Sequence, residues 1–464
     1  METKLTKKYG LITAIAMVVG TVIGSGVFFK AGKVLTNNNG SMAMSLLTVG
    51  AVGAIMVICS YVFSMLAQKY EKVNGLVDYA EATCGSLYAY LVGWFMTFIY
   101  YPTLTSTLAW ISAQYTVQLF GWDPTSDLHL ALAGFYLVAG YALNALSPKL
   151  AGKFQVSATF IKLIPLAFMA IVGTIVGLIN GTTIESMQAV AGMTGGSGFF
   201  GAVVAFAFAY EGWIITTSIN AELKDSKKNL PIALVVGSLI VVGVYLAYFL
   251  GLTGAMDSQG LMASGNIPKD AFGKLLGNAA FGTIASVFVI ISCLGTMNGL
   301  MLGCCRGIYS VAARKQGPAV EVLEQVDAKT NMPTNSSIVG LLLCAFWMAQ
   351  WEFGIGQIIA GKESILPSFI GWENDELPII TLYGMYIPIF IIFMIREKGM
   401  NPIKRFVLPG LASVLCGFMV YCAFAAYKMD AVYYLIVSCV VLLIGVLFYR
   451  NKEGKTVLQR ICKK

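Results

Sequence analysis

The chain has 464 residues, of which 57% are hydrophobic and only 12% are charged. A soluble protein of this length carries about a quarter charged residues, so the composition excludes the soluble classes and predicts a polytopic membrane protein. The net charge of +8 is explained by loops that face anionic lipid on the cytoplasmic side, and it gives no reason to expect nucleic acid as a partner.

Twelve apolar blocks are long enough to cross about 30 Å of hydrocarbon, which takes about 20 helical residues. These predicted spans, numbered one to twelve in chain order, are 11–35, 43–67, 86–119, 128–146, 154–179, 198–222, 231–254, 279–305, 336–353, 377–396, 406–427 and 430–449. The sequence therefore predicts an all-α integral membrane protein with twelve transmembrane helices.

Lysine and arginine residues are distributed unevenly between the two sides of the membrane. If the N-terminus lies in the cytoplasm, 24 of the 31 fall on the cytoplasmic side, six fall outside and one, Lys162, lies within a span. The positive-inside rule favours this topology, with both termini and the basic tail 451–464 in the cytoplasm. All ten cysteines lie in spans or on the inner side, so no disulfide framework is expected.

The first span is interrupted near its middle. The stretch GTVIGSGVFF contains Gly24, Ser25 and Gly26, and glycine lowers helix propensity while it lets a ligand approach the backbone closely. A bilayer tolerates unpaired backbone groups only where they line a cavity or find protein partners. The stretch alone leaves two interpretations open, a broken helix or a small-xxx-small packing face from Gly20 to Gly24.

Span five carries a lysine at membrane depth. Lys162 lies about nine residues into the span, roughly 14 Å deep at 1.5 Å per residue, and snorkelling to the interface from there is difficult. A snorkelled surface lysine remains the alternative. Pro165, three residues further on, is able to kink the same span.

The sixth span contains a second anomaly, FAFAYEGWIITTS, with Glu211 and Gly212 at its centre. A carboxylate at mid-bilayer costs about 2.5 to 3.5 kcal/mol on insertion scales, so it usually faces a cavity or a partner. Because span six begins the second group of five helices, that group runs through the membrane in the opposite sense to the first. The two interrupted helices then occupy equivalent places in an inverted repeat.

This symmetry predicts a secondary transporter with its site at the membrane midplane. We place the repeats at 10–180 and 197–397 and two appended helices at 405–450, within one transport domain of residues 1–464. The half-helix after the first break begins with free N–H groups and a positive dipole end, which suit a carboxylate. The half-helices before the breaks end in free carbonyls, which suit an ammonium group, so the pair matches the backbone of an α-amino acid.

Other features are given structural interpretations. The lone histidine, His129, is predicted to be an interfacial residue, and the loop 68–83 a solvated cytoplasmic segment, with gating as its alternative. The tryptophans near span ends are predicted to form the aromatic belts of the membrane interface. They are Trp110, Trp122, Trp347, Trp351 and Trp372.

An intramembrane enzyme would need a nucleophile with its base, or metal ligands, at membrane depth. The sequence offers no such group, so we expect no enzyme, no cofactor and no metal site. A channel or receptor is the remaining alternative class, and two inverted broken helices argue against it.

Five segments together resemble one family, the L-type amino acid transporters of the amino acid-polyamine-organocation superfamily. The segments are GLITAIAMVVGTVIGSGVF, YPTLTSTLAWISAQY, FQVSATFIKLIP, FAFAYEGWIITTSINAELKDSKKNLPIAL and ISCLGTMNGLMLGCCRGIYSVAARKQGP. The similarity runs from about residue 9 to residue 400. It implies a LeuT-type fold with a five-plus-five inverted repeat, two appended helices and discontinuous helices one and six. It also implies sodium-independent exchange of small or medium neutral L-amino acids across the plasma membrane.

The resemblance further implies roles for individual residues. The substrate carboxylate would be bound at Gly24, Ser25 and Gly26. The substrate amine would be held by the backbone carbonyls of Val22, Ile23, Phe208, Ala209 and Glu211. The pocket and gate would be shaped by Tyr210, Gly212 and Trp213. Lys162 would replace the sodium ion of sodium-coupled relatives and connect carbonyls near the first break to Ser292 in span eight.

Two departures from the family pattern limit what the resemblance implies. Glu211 stands where relatives often have a small residue or aspartate, so its side chain is open to several roles: it polarises the unwound backbone, pairs with another group or binds a proton. A proton-coupled or uniport transporter of cationic or other amino acids is therefore the alternative function. The outer loop GWDPTSD lacks the cysteine through which heteromeric animal members join a glycoprotein, so no disulfide-linked heavy subunit is expected.

Overall fold

A computed structural model describes residues 10–70, 75–123, 126–188, 197–215, 217, 223–359, 361–450 and 454–461. Within these ranges the regular structure is helical, apart from one isolated antiparallel bridge between Arg450 and Thr456. Ten of the described helices are long and apolar enough to cross a membrane. They are Met42–Lys69, Leu128–Leu146, Pro148–Ile179, Gly198–Ile215, Ser226–Ala255, Ala279–Ala312, Thr334–Ile359, Leu377–Arg396, Ile403–Tyr427 and Met429–Phe448.

Span one is a pair of helices, Leu11–Val22 and Gly26–Asn37, bent by 49° at the break between them. Counted as one span, this pair brings the described candidates to eleven. The predicted third span forms a continuous helix over 86–120, with a π-helical turn at Met96–Tyr100. This helix is not among the eleven candidate spans, because its many tyrosines, threonines and serines lower its mean hydropathy. The shorter helices are Leu76–Cys84, Thr182–Gln188, Ser258–Ala263, Ile267–Leu275, Val320–Leu323 and Val457–Ile461.

The contacts between residues divide the chain into two compact units. The first unit comprises the chain up to Cys84, Phe160–Val289 and Ile379–Tyr427, and it contains both interrupted spans. The second unit comprises Gly85–Thr159, Ile290–Pro378 and the chain from Lys428. Each unit takes helices from both predicted repeats, so the boundaries 10–180, 197–397 and 405–450 stay predictions.

Within the first unit, spans five and seven touch through their backbones. A Cβ atom on Gly254 would collide with the carbonyl oxygen of Gly173, and one on Gly251 would collide with that of Met169. Only glycine permits so close an approach of two helices. We call the contact of Gly173 and Gly177 with Gly251 and Gly254 the glycine seam.

The interpretation of loop 68–83 as a solvated segment is wrong for residues 75–83, although Gln68 and Lys69 are exposed. Residues 71–74 lie outside the described ranges, but the helix Leu76–Cys84 buries Tyr79 completely and Asp78 to 7% exposure. Lys69 and Tyr70 both donate to the carboxylate of Glu397, the residue that follows span ten, the tyrosine hydroxyl at 2.9 Å. The loop is therefore tied to the C-terminal end of that span.

The aromatic-belt interpretation is also wrong for most of the tryptophans. Those at positions 110, 347, 351 and 372 are at most 4% exposed, and Trp122 alone of the five lies at the surface. His129 is buried as well, with its Nε2 atom 3.2 Å from the carbonyl oxygen of Trp110 and its ring edge-on to the indole. These side chains pack the interior of the second unit, where Glu352 accepts a 2.6 Å hydrogen bond from the Trp110 indole.

Candidate functional site

The break in span one leaves backbone groups free on both of its sides. The first half-helix closes with the amide of Ile23 donating to Val19 at 2.9 Å, and Ile23 itself is extended, with φ −64° and ψ 99°. The second half-helix opens with the amide of Phe28 donating to Ser25 at 2.9 Å. The last carbonyls of one helix and the first amides of the next therefore need partners from elsewhere.

The amide side of the break has the features of an anion site. Ser25 caps the second half-helix with its backbone, yet its hydroxyl makes no cap bond; the hydroxyl is fully buried and has no hydrogen-bond partner among the described residues. Buried hydroxyls are rarely left unpaired. The orphan hydroxyl, the free amides at Gly26 and the positive helix end together suit a carboxylate.

Span six is also interrupted, and its break faces the break in span one. Its helix ends at Ala207 and passes through a tight 3₁₀ turn, Phe208–Tyr210, before Glu211 becomes extended at φ −77° and ψ 158°. Gly212 has φ +107°, and a Cβ atom there would lie 2.8 Å from the carbonyl oxygen of Thr21. Glycine is required at this position by both its dihedral angle and its contact with span one.

The two breaks meet within the first unit. A Cβ atom on Gly26 would lie 2.7 Å from the Cα atom of Ala209, so the backbones approach as closely as glycine allows. The hydroxyl of Tyr245 in span seven lies 2.9 Å from the carbonyl oxygen of Ala209 and 3.2 Å from that of Val22. One side chain thus donates toward a freed carbonyl of each break, and both acceptors belong to the set predicted to hold the amine.

Tyr245→Phe should slow transport roughly tenfold or more, because it removes the single hydroxyl proton that two buried carbonyls share, at about 1 to 3 kcal/mol. Tyr248→Phe is the matched control, since the Tyr248 hydroxyl lies one turn away, is buried and has no hydrogen-bond partner in the described chain. Uptake of labelled amino acid into proteoliposomes measures both. Equal rates for the two variants would show that the Tyr245 hydroxyl is a packing feature.

Lys162 lies in the same unit and reaches the first break. Its side chain is 2% exposed, and its Nζ atom donates to the carbonyl oxygen of Gly20 at 2.7 Å. That carbonyl is the first of the half-helix to lack an intrahelical amide, because the helix ends before residue 24. Ser292 is buried and belongs to the second unit, so its contact with Lys162 stays a prediction.

The side chains after the span-six break face an aromatic group. Trp213 lies 5.6 Å from Phe63 and 6.0 Å from Tyr386 between ring centroids. Glu211 is 9% exposed and close enough to Tyr386 for an electrostatic interaction. Tyr210 turns toward span two, where its hydroxyl donates to Val49 at 3.0 Å, so its predicted part in the pocket rests on the resemblance alone.

Two groups near the breaks escaped the sequence analysis. One is Tyr245, whose only signal is a hydroxyl in the middle of an apolar span. The other is Lys30, counted there merely as an outer cation. It is 4% exposed, and its Nζ atom lies 5.4 Å and 5.7 Å from the ring centroids of Phe29 and Phe208. It adds a positive charge one turn beyond the amides at Gly26.

Among the described residues, one group of side chains is close enough together to share a cation. It consists of Glu373, Asp375 and Glu376, ahead of span ten in the second unit. Clustered carboxylates occur without any ion, so the group carries no metal assignment. The nine described cysteines are free thiols and none joins this group, while Cys462 lies outside the described ranges.

The sequence profile described as "Amino acid permease" matches residues 9–460 of the chain. The serine/threonine exchanger SteT of Bacillus subtilis (strain 168) is 27% identical over 409 residues, covering 88% of this chain and 87% of that protein. The human large neutral amino acids transporter small subunit 2 is 31% identical over 446 residues, covering 90% of this chain and 80% of that protein.

The fold is similar to that of MhsT, whose crystal structure in complex with L-phenylalanine gives a TM-score of 0.55 at 13% sequence identity. The match covers 93% of this chain and 98% of that one. At this identity the likeness concerns the fold alone, and it shows a LeuT-like arrangement of helices.

Proposed function

The chain belongs to the amino acid permease family and is an amino acid transporter of the L-type branch, and from this premise we propose that it is a sodium-independent exchanger. Its substrates are L-amino acids, small or medium in size and neutral, and it moves them across the plasma membrane by alternating access. Both termini lie in the cytoplasm. The finer architecture we propose is twelve spans, ten of them in a five-plus-five inverted repeat.

One observation carries this proposal: the two breaks face each other with opposite polarity. On one side stand the orphan hydroxyl of Ser25 and the amides at Gly26, and on the other stand the carbonyls of Val22 and Ala209. An amino acid presents a carboxylate and an ammonium group at a fixed separation, which this polarity matches. Each carbonyl oxygen has two lone pairs, so the ammonium group can share the carbonyls with Tyr245.

Sodium independence is supported by the buried ammonium group of Lys162. It donates to Gly20 beside the first break, which is where the resemblance would have a sodium ion in coupled relatives. A fixed positive charge at short range repels a second cation strongly in a medium of low dielectric constant. Binding of the ion would then require displacement of the lysine from its carbonyl.

The test is counterflow in proteoliposomes that contain the purified protein, run once in a sodium buffer and once with choline in place of sodium. Labelled L-serine outside should enter faster when unlabelled L-serine is present inside, and replacement of sodium by choline should leave the rate unchanged. A channel would not respond to the inner substrate. Strong stimulation by sodium that no other cation reproduces would contradict the proposal.

The alternative function is proton-coupled or uniport transport of cationic amino acids. The buried carboxylate of Glu211 beside the span-six break favours it, because such a group either binds a proton or attracts a positive side chain. Lys30 weighs against a cationic substrate, since it is a second buried positive charge near the breaks. Competition of labelled L-serine with L-arginine, at two external pH values, separates the two functions.

A partner joined through a disulfide is not part of this proposal. The outer loop after span three contains no cysteine in its sequence, GWDPTSD. The partners we propose are the amino acid substrates and the surrounding lipid. Neither nucleic acid nor a cofactor enters the mechanism.

A further inference from the structure

The outer loop between spans seven and eight contains a cavity that the proposed transport site does not use. The loop helices Ser258–Ala263 and Ile267–Leu275, with the residues up to Ala279, enclose a volume of about 570 Å³. This volume lies within the range of about 300 to 1,000 Å³ typical of small-molecule sites. Five of the eleven lining residues are glycine or alanine, which leaves room for a ligand between the longer side chains.

The charged side chains of the lining differ in what they bind. Asp270 accepts a 2.6 Å hydrogen bond from Ser264, which also lines the cavity. Asp257, beside the lining residue Met256, caps the first loop helix and accepts a hydrogen bond from the amide of Gly260 at 3.0 Å. Lys269 is half-buried and Lys274 exposed, and neither ammonium group has an ion-pair partner in the described part of the chain. The cavity therefore offers two uncommitted ammonium groups.

We propose that this cavity is a second binding site, which takes the carboxylate group of a small molecule from outside and holds it between Lys269 and Lys274. Charge-assisted hydrogen bonds from ammonium to carboxylate are roughly twice as strong as neutral ones. The proposed transport function supplies the natural ligand, since every amino acid outside the cell carries a carboxylate. The identity of that ligand rests on the proposed function, whereas the site itself does not.

The loop that encloses the cavity packs against the outer half of span one. A Cβ atom on Gly32 would lie 3.3 Å from the Cδ1 atom of Ile267, and one on Gly40 would lie 2.9 Å from the Cε atom of Met262. The helix Gly26–Asn37 thus begins at the proposed carboxylate site and ends beneath the loop. A ligand that stiffens the loop favours the position of this half-helix in which the loop contacts are intact.

The test places a reporter in the wall of the cavity. Ala263 lines the cavity and is exposed, so Ala263→Cys should react with a membrane-impermeant maleimide on intact cells. Acetate at ten times its Kd should slow this reaction roughly tenfold by mass action, relative to chloride at the same concentration. Acetate is the probe because it has a carboxylate and no ammonium group, and so it is not a substrate of the proposed transport site.

Two variants and two further ligands, L-serine and phosphate, make the result specific. When Ala263→Cys is combined with Lys269→Gln and Lys274→Gln, acetate should no longer protect the cysteine. A cysteine at the exposed outer position of Lys362, in the variant Lys362→Cys, should not be protected by acetate at all. L-serine should protect as acetate does. Protection by phosphate without protection by acetate, equal rates in acetate and chloride, or protection that survives both lysine substitutions would overturn the proposal.

The two proposals fail separately in this design. Labelling of the cysteine requires no transport, so protection with absent counterflow would reject the exchanger and keep the second site. Counterflow with no protection would reject the second site and keep the exchanger. Labelling of Ala263→Cys in chloride itself shows that the variant reaches the cell surface with this position exposed.

Discussion

Gly26→Val is expected to abolish substrate binding while the protein remains inserted and folded. A Cβ atom there would lie 2.7 Å from the Cα atom of Ala209 and 2.9 Å from the Cδ1 atom of Phe208, and valine adds two methyl groups beyond it. Overpacking of this kind costs about 1 to 3 kcal/mol. The loss of hydrogen bonds to a charged carboxylate costs about 1.5 to 3 kcal/mol more, so affinity should fall by more than about 100-fold.

The measurement is equilibrium binding of labelled amino acid to the purified protein, with thermal unfolding as the check on folding. Gly50→Val is the control, because Gly50 also lies in a helix of the first unit but a Cβ atom there meets nothing within 4 Å. It should bind as the unmodified protein does. Gly26→Val with affinity within about threefold of the unmodified protein would mean that the glycines serve helix packing.

Lys162→Ala should reduce the exchange rate about 10- to 100-fold. The substitution leaves the buried carbonyl of Gly20 without its 2.7 Å donor, and an unpaired buried acceptor costs about 1 to 3 kcal/mol. The end of the first half-helix loses a fixed partner, so the balance between inward- and outward-open states should change. Lys162→Arg should rescue only in part, because a planar guanidinium does not replace a compact ammonium group.

Exchange is measured in proteoliposomes at matched incorporation of the variants. Lys153→Ala serves as the control, since Lys153 belongs to the same helix but is exposed. If Lys162→Ala exchanges at the rate of this control, the lysine fills space or stabilises the helix without acting on the break, and the argument for sodium independence loses its support.

Much of the candidate site could be predicted because its residues violate the expectations of an apolar span. Glycines in mid-span, a carboxylate in span six and a lysine at depth each cost free energy in a bilayer, so each points to a local reason. The bent pair Leu11–Val22 and Gly26–Asn37 confirms the predicted interruption of span one. The inverted symmetry was inferred from the spacing of these anomalies and needed no contact information.

Tyr245, which escaped prediction, carries no such signal. A tyrosine costs little in an apolar helix, and the acceptors of Tyr245 are backbone carbonyls, which every residue has. Only the tertiary arrangement brings its hydroxyl to the breaks. Lys30 was counted among the outer cations and His129 was assigned to the interface, yet helices that pack around them bury both. Burial by neighbouring helices is a long-range property that hydropathy along one span does not contain.

The glycine seam gives the two donors at the breaks a shared mechanical role. Lys162 belongs to span five and Tyr245 to span seven, and the seam joins these helices backbone to backbone, so we expect the two helices to move as a pair. Spans one and six carry the carbonyls of Gly20, Val22 and Ala209. When these spans move against spans five and seven, the three carbonyls must be released together. We therefore expect their release to be concerted, which favours two discrete positions of the transporter over intermediate ones.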